Sequence, residues 1–186
     1  MDPITTVDGL VARPQGLELR ADDVTVTTLP YMSSPEEAIA VLTEVFGTPP
    51  VEEPYDGGNH RPDGVHHHWD PFVLDERFYD EGRRESENLD WVVWPRFAVY
   101  FDGPAVGPIV LSAANGLQAG DAWSEAEADE SFDDDVWTCV GTSIEAEAIE
   151  VPADRPDRVN VVVSPSDDGR SVKWIGAPEM EADGCA

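Results

Sequence analysis

Lysine is almost missing from this chain of 186 residues: ten of its eleven basic side chains are arginine, and Lys173 stands alone. Thirty-nine acidic residues face those eleven, for a formal net charge of −28. A chain so poor in positive charge repels nucleic-acid phosphates and anionic membranes, so neither is expected as a partner. Long apolar runs are missing too. None approaches the roughly 18 residues that cross a bilayer, so no membrane span is expected. The start, "MDPITTVDGL", has neither a basic nor an apolar segment of the kind that makes a signal peptide.

Cysteine is equally scarce. Cys139 and Cys185 are the only two, and neither belongs to a C-x-x-C pair, which argues against zinc-ribbon or thioredoxin-type chemistry. An even pair far apart in sequence, one close to the chain end, reads as a structural disulfide worth about 3–4 kcal/mol in a chain-entropy treatment. That implies an oxidising, extracellular or cell-envelope setting. Two unpaired thiols in a cytoplasmic protein are the alternative. Several catalytic signatures are also missing. There is no G-x-S-x-G elbow, no phosphate-binding G-x-x-x-x-G-K-[ST], no G-x-G-x-x-G and no H-E-x-x-H. "DESFDDD" lacks the glycine and terminal glutamate of an EF-hand loop. No catalytic residue can be assigned, and the expectation is a protein that is not an enzyme.

What is present is mostly strand-like. Leu10–Ala12, Leu17–Arg20 and Val24–Thr28 read as strands with bends at Pro14–Gly16 and Asp22–Asp23. Arg96–Phe101, "PIVLS", Thr142–Ala148, Val159–Ser164 and Val172–Ile175 follow, with "SPSDDGRS" as a hairpin turn. The best helix is "SSPEEAIAVLTEVFG". Ser34 caps it, Pro35 takes its first position, Glu37 completes an S-x-x-E box and Gly47 stops it. A shorter acidic helix is expected near 124–131, capped by Asp121 or Ser124. Residues 48–65 read as a long loop. The fold class is α+β: antiparallel sheets with one or two short helices packed on one face. The chain is expected to form a single domain, with two related units, 1–102 and 103–186, as its internal layout.

"GLEL", "EEAIAVLTEVFGTPP", "HHWDPFVL" and "NGLQAGD" occur in an order that resembles actinobacterial secreted proteins and lipoproteins of unknown function. Their layout is similar to the tandem α/β units of β-lactamase-inhibitor-like and outer-membrane-assembly-lipoprotein-like folds. The resemblance covers about residues 25–120 and departs from the pattern in having no lipobox cysteine near the start. It implies an extracytoplasmic binding or structural module with no catalytic residues to carry over.

One segment concentrates chemistry. All four histidines lie within nine residues, in "HRPDGVHHH". In an extended strand His66, His68 and Asp70 point one way while Val65, His67 and Trp69 point the other. His66 and His68 can then chelate one divalent metal, with His60, Asp63 or Asp70 completing the set; imidazole and carboxylate suit Zn, Ni or Cu. The same pattern is also the polar side of an amphipathic strand, with Trp69 and Phe72 as core anchors and Asp70–Pro71 as a bulge. A second group, Tyr79, Arg83, Arg84, Trp91 and Trp94, has the aromatic and arginine composition of a contact surface for a protein or envelope ligand. Three functions follow: an extracytoplasmic module that binds a protein or envelope ligand, an extracytoplasmic metal-binding protein, or an intracellular acidic DNA mimic that inhibits a basic partner. No cofactor beyond a divalent metal is implied.

Overall fold

The computed structural model describes residues 3–91, 95–134, 138, 140–151 and 157–180. The chain opens on a single 3-10 turn, Pro3–Thr6, and a meander of three strands, β1 (Gly9–Ala12), β2 (Gly16–Ala21) and β3 (Val24–Pro30). Helix α1 (Pro35–Phe46) follows, and its start is set by local chemistry. Ser34 has extended backbone and its side chain accepts a bond from the Glu37 amide, satisfying one of the donors a helix start leaves open. Gly47 ends the helix with φ at 70°, a left-handed conformation that glycine reaches without a Cβ clash.

The next strands are β4 (Val51–Tyr55), β5 (Gly64–Trp69) and β6 (Phe72–Arg77), then α2 (Glu81–Ser86) and β7 (Phe97–Phe101). The chain continues through β8 (Ala105–Val106), β9 (Ile109–Ala113), α3 (Trp123–Glu127), β10 (Thr142–Ala148), β11 (Arg158–Pro165) and β12 (Val172–Met180). Five strands form a small sheet in the order β3-β2-β1-β9-β8, and seven form a larger one in the order β10-β11-β12-β7-β6-β5-β4. Pairing is antiparallel throughout except between β1 and β9, which run parallel. The α+β, sheet-dominated fold expected from sequence is the fold observed. Each sheet takes strands from both sides of the 102/103 boundary, so sheet membership does not follow a division into units there.

A single apolar layer joins the two sheets. It combines Leu10, Leu17, Leu19 and Leu111 of the small sheet with Phe72, Leu74, Phe97, Val99, Phe101, Val161, Val163 and Ile175 of the large one. Helix α1 adds Ala38 and Leu42 to this layer, and Phe46 packs on Trp69 and Phe72 with ring centroids 5.3 Å away in each case. The apolar residues alternate along each large-sheet strand, so their neighbours in sequence lie on the opposite face. That second face is where Glu53, His66, His68, Asp75 and Arg77 of β4, β5 and β6 collect.

Three expectations need correction. Residues 48–65 are not wholly loop, because Val51–Tyr55 forms the edge strand of the large sheet. Asp70–Pro71 is not a bulge inside one strand. It is the two-residue connection of the β5–β6 hairpin, with a cis peptide bond and Trp69 paired with Phe72. Neither Asp121 nor Ser124 is the N-cap of α3; that position is Ala122, which makes no side-chain capping bond.

Candidate metal site on the second face of the large sheet

Antiparallel register puts Glu53 opposite His66 across β4 and β5, and His66 opposite Asp75 across β5 and β6. These three therefore form one row on one face, with His68 two residues along β5 on the same side. The strand alternation expected from the sequence is what aligns them. Ligand atoms of Glu53, His66 and His68 all lie within 4.8 Å of one another. The His68 Nε2 atom is 3.2 Å from a Glu53 carboxylate oxygen. Ligands around one tetrahedral zinc stand about 3.4 Å apart, given metal–ligand bonds of about 2.0–2.2 Å. Glu53 is free to close the remaining gap, because its side chain is 71% exposed at the sheet edge.

Each histidine also has a carboxylate beside its ring. An Asp75 oxygen lies 3.6 Å from His66 Nε2, and an Asp70 oxygen lies 3.7 Å from His68 Nδ1. At these distances neither contact is a hydrogen bond, and the carboxylates act as negative charge beside the rings. Burial holds the His66 pKa below its ordinary value, against the opposing pull of Asp75. The neutral ring that results is the form that ligates.

Asp75 is itself held. Tyr55 Oη donates to one of its oxygens at 2.7 Å and Arg77 Nε to the other at 2.8 Å. Arg77 also donates to Tyr100 Oη at 3.2 Å, and Tyr100 in turn donates to Glu179 at 2.6 Å. Burial raises the pKa of Tyr55, Tyr100 and Glu179, so the phenols remain protonated donors. Gly64 makes room for this arrangement. A Cβ there would meet the Glu76 carbonyl at 2.1 Å and the Tyr55 hydroxyl at 2.3 Å. With no side chain in the way, the Tyr55 ring crosses β5 and stacks 4.6 Å from the His66 ring.

His60 and Asp63 do not join the metal cluster. His60 faces Asp90 at 3.6 Å. Asp63 accepts a bond from the Gly57 amide at 2.9 Å and pairs with Arg83 at 3.0 Å, and both contacts lower its pKa. Sequence reasoning missed Glu53, whose only signal was its place in a short β-prone run interrupted by Pro54. His67 faces the other side, as expected. It is buried, with Nε2 2.8 Å from Glu76, and Trp69 anchors the same face by donating from Nε1 to the Thr48 carbonyl at 2.8 Å.

The proposed contact surface needs revision. Trp91 is 1% exposed and its indole donates to the Gly58 carbonyl at 2.8 Å, so it is a core residue and not a contact residue. Tyr79 packs on it with ring centroids 5.8 Å apart, and its hydroxyl bonds to Glu81. Arg83 lies over the Trp91 ring while pairing with Asp63 and Glu87; Arg84 pairs with Glu81 at 2.8 Å. These side chains pin α2 and residues 57–63 together. Trp94, Cys139 and Cys185 lie outside the described residues, and the expected disulfide with them. No described helix is long and apolar enough to cross a membrane. No family model, curated protein or solved structure matches this chain.

Proposed function

We propose that this protein is a non-enzymatic, extracytoplasmic binding module whose ligand is a divalent transition metal held by Glu53, His66 and His68. The observation that supports this reading is the convergence of two imidazoles and a carboxylate within 4.8 Å on one sheet face. Nitrogen and oxygen donors in that ratio favour Zn, Ni or Cu over Mg or Ca. The metal reading takes precedence over a protein-contact surface because Trp91 is buried and Arg83 and Arg84 already have carboxylate partners.

Isothermal titration of untagged protein with Zn²⁺ tests it. The expected result is one site per chain, weakened at least about tenfold in the His66→Ala/His68→Ala variant and in Glu53→Gln, as lost ligands require. His60→Ala and Asp63→Ala should bind like the parent protein. Weak binding that is the same in the double variant and the parent would remove the metal site. The extracytoplasmic setting has its own test in a thiol count under denaturing, non-reducing conditions, where two free thiols argue against it.

A further inference from the structure

Six of the ten arginines in this acidic chain stand against a carboxylate. Arg13 pairs with Glu18 and Glu145, Arg20 with Glu18, Arg77 with Asp75, Arg83 with Asp63 and Glu87, Arg84 with Glu81, and Arg170 with Asp168. Arg61 and Arg96 are exposed and have no carboxylate partner among the described residues, in a chain carrying 39 acids, and of the two it is Arg61 that packs beside the metal cluster. Its guanidinium instead lies 4.0 Å above the Tyr55 ring, the same ring that stacks 4.6 Å from His66. The Tyr55 ring thus has the Arg61 guanidinium and the His66 imidazole as its two neighbours.

Two histidines and one carboxylate leave a metal at least one open position, the arrangement of sites that bind an exogenous group. We propose, resting on the metal reading above, that the open position takes a small oxyanion, a carboxylate or a phosphate, bound jointly by the metal and by Arg61. A planar guanidinium donates two parallel bonds to such a group, which gives it orientation as well as charge. The local requirement is clear from the net charge of −28: the surface as a whole repels anions, so capture needs a metal and a cation acting together.

Co²⁺ provides a probe, because its visible absorption responds to ligands entering the coordination sphere. Untagged protein is titrated with Co²⁺ alone, and the loaded protein is then titrated with acetate and, separately, with inorganic phosphate. The expected result is a saturable spectral change with at least one anion, weakened at least tenfold in R61A. R61K should fall between them, since it keeps the charge but not the fork. R61A should bind Co²⁺ itself as tightly as the parent or more tightly, because a repelling cation is gone, and this also shows the metal site intact. Which anion saturates at lower concentration tells a carboxylate ligand from a phosphate one. No spectral response to either anion, or an equal response in R61A, overturns the inference while leaving the metal site standing. A protein that takes up no Co²⁺ overturns both.

Discussion

Glu179 shows how a single half-buried side chain shapes the behaviour of the whole face. Its carboxyl accepts from Tyr100, and burial is the main reason its pKa is raised above the ordinary 4.5. A carboxyl whose folded pKa exceeds its unfolded one adds stability that is fully present below the unfolded value. That contribution is lost as pH rises through the folded value. Glu179→Gln keeps an oxygen for the Tyr100 hydroxyl but never ionises. The variant should therefore unfold at a higher temperature than the parent at about pH 8, by roughly 2–4 °C if the gain is about 1 kcal/mol. The difference should shrink as pH falls toward about 5. Calorimetry across that range checks it, and a parent that gains on the variant with rising pH would show that the ionised Glu179 is stabilised by Arg77. At this same scale the candidate site was half legible. His66 and His68 share a face because strand side chains alternate, and that follows from sequence alone. Glu53 and Asp75 join them through strand register, and register is set by which strands pair, which no local pattern states. Trp91 illustrates the converse. Its composition and charged neighbours suited a surface, yet the Gly58 carbonyl and the Tyr79 ring bury it.

Elements carrying their own start and stop signals were readable, and those made by tertiary pairing were not. Helix α1 begins and ends where Ser34, Pro35 and Gly47 place it. Removing the cap with Ser34→Ala should cost about 1 kcal/mol, at the middle of the range for such caps. Gly47→Ala should cost a further 1–2 kcal/mol or so, because an L side chain at φ of 70° meets its own carbonyl. Urea unfolding of both variants gives the numbers. The cap loss should fall on the midpoint without changing the slope, since no surface is newly exposed. Strand β4 offered no comparable signal. "VEEPY" carries two acids and a proline, which belongs in a sheet only at an edge, and an edge is where it lies. The parallel β1–β9 pair was equally hidden, because it joins residues about a hundred positions apart with no turn between them to announce it.

At the scale of the whole molecule, charge sets the terms. Eleven basic residues cannot neutralise thirty-nine acids, so even full one-to-one pairing leaves most carboxylates without a basic partner. Two opposed effects respond to salt. The ion pairs seen here, such as Arg13 with Glu18 and Glu145 between the small sheet and β10, weaken when screened. These pairs are partly covered, yet still reach solvent, and pairs open to solvent contribute only about 0–1 kcal/mol each. The unpaired repulsion is more widespread and acts over a Debye length that shrinks from about 30 Å at 0.01 M to about 8 Å at 0.15 M. Repulsion relieved should therefore outweigh attraction lost. The unfolding midpoint should rise by several degrees between those two NaCl concentrations, about 2–4 °C for each kcal/mol. Divalent metal adds a distinguishable increment. Screening by Mg²⁺ should be the same in parent and His66→Ala/His68→Ala protein, whereas stabilisation by Zn²⁺ at a few times its dissociation constant should appear only in the parent. A midpoint that falls with NaCl would place the paired arginines, and not the excess acid, in control of stability.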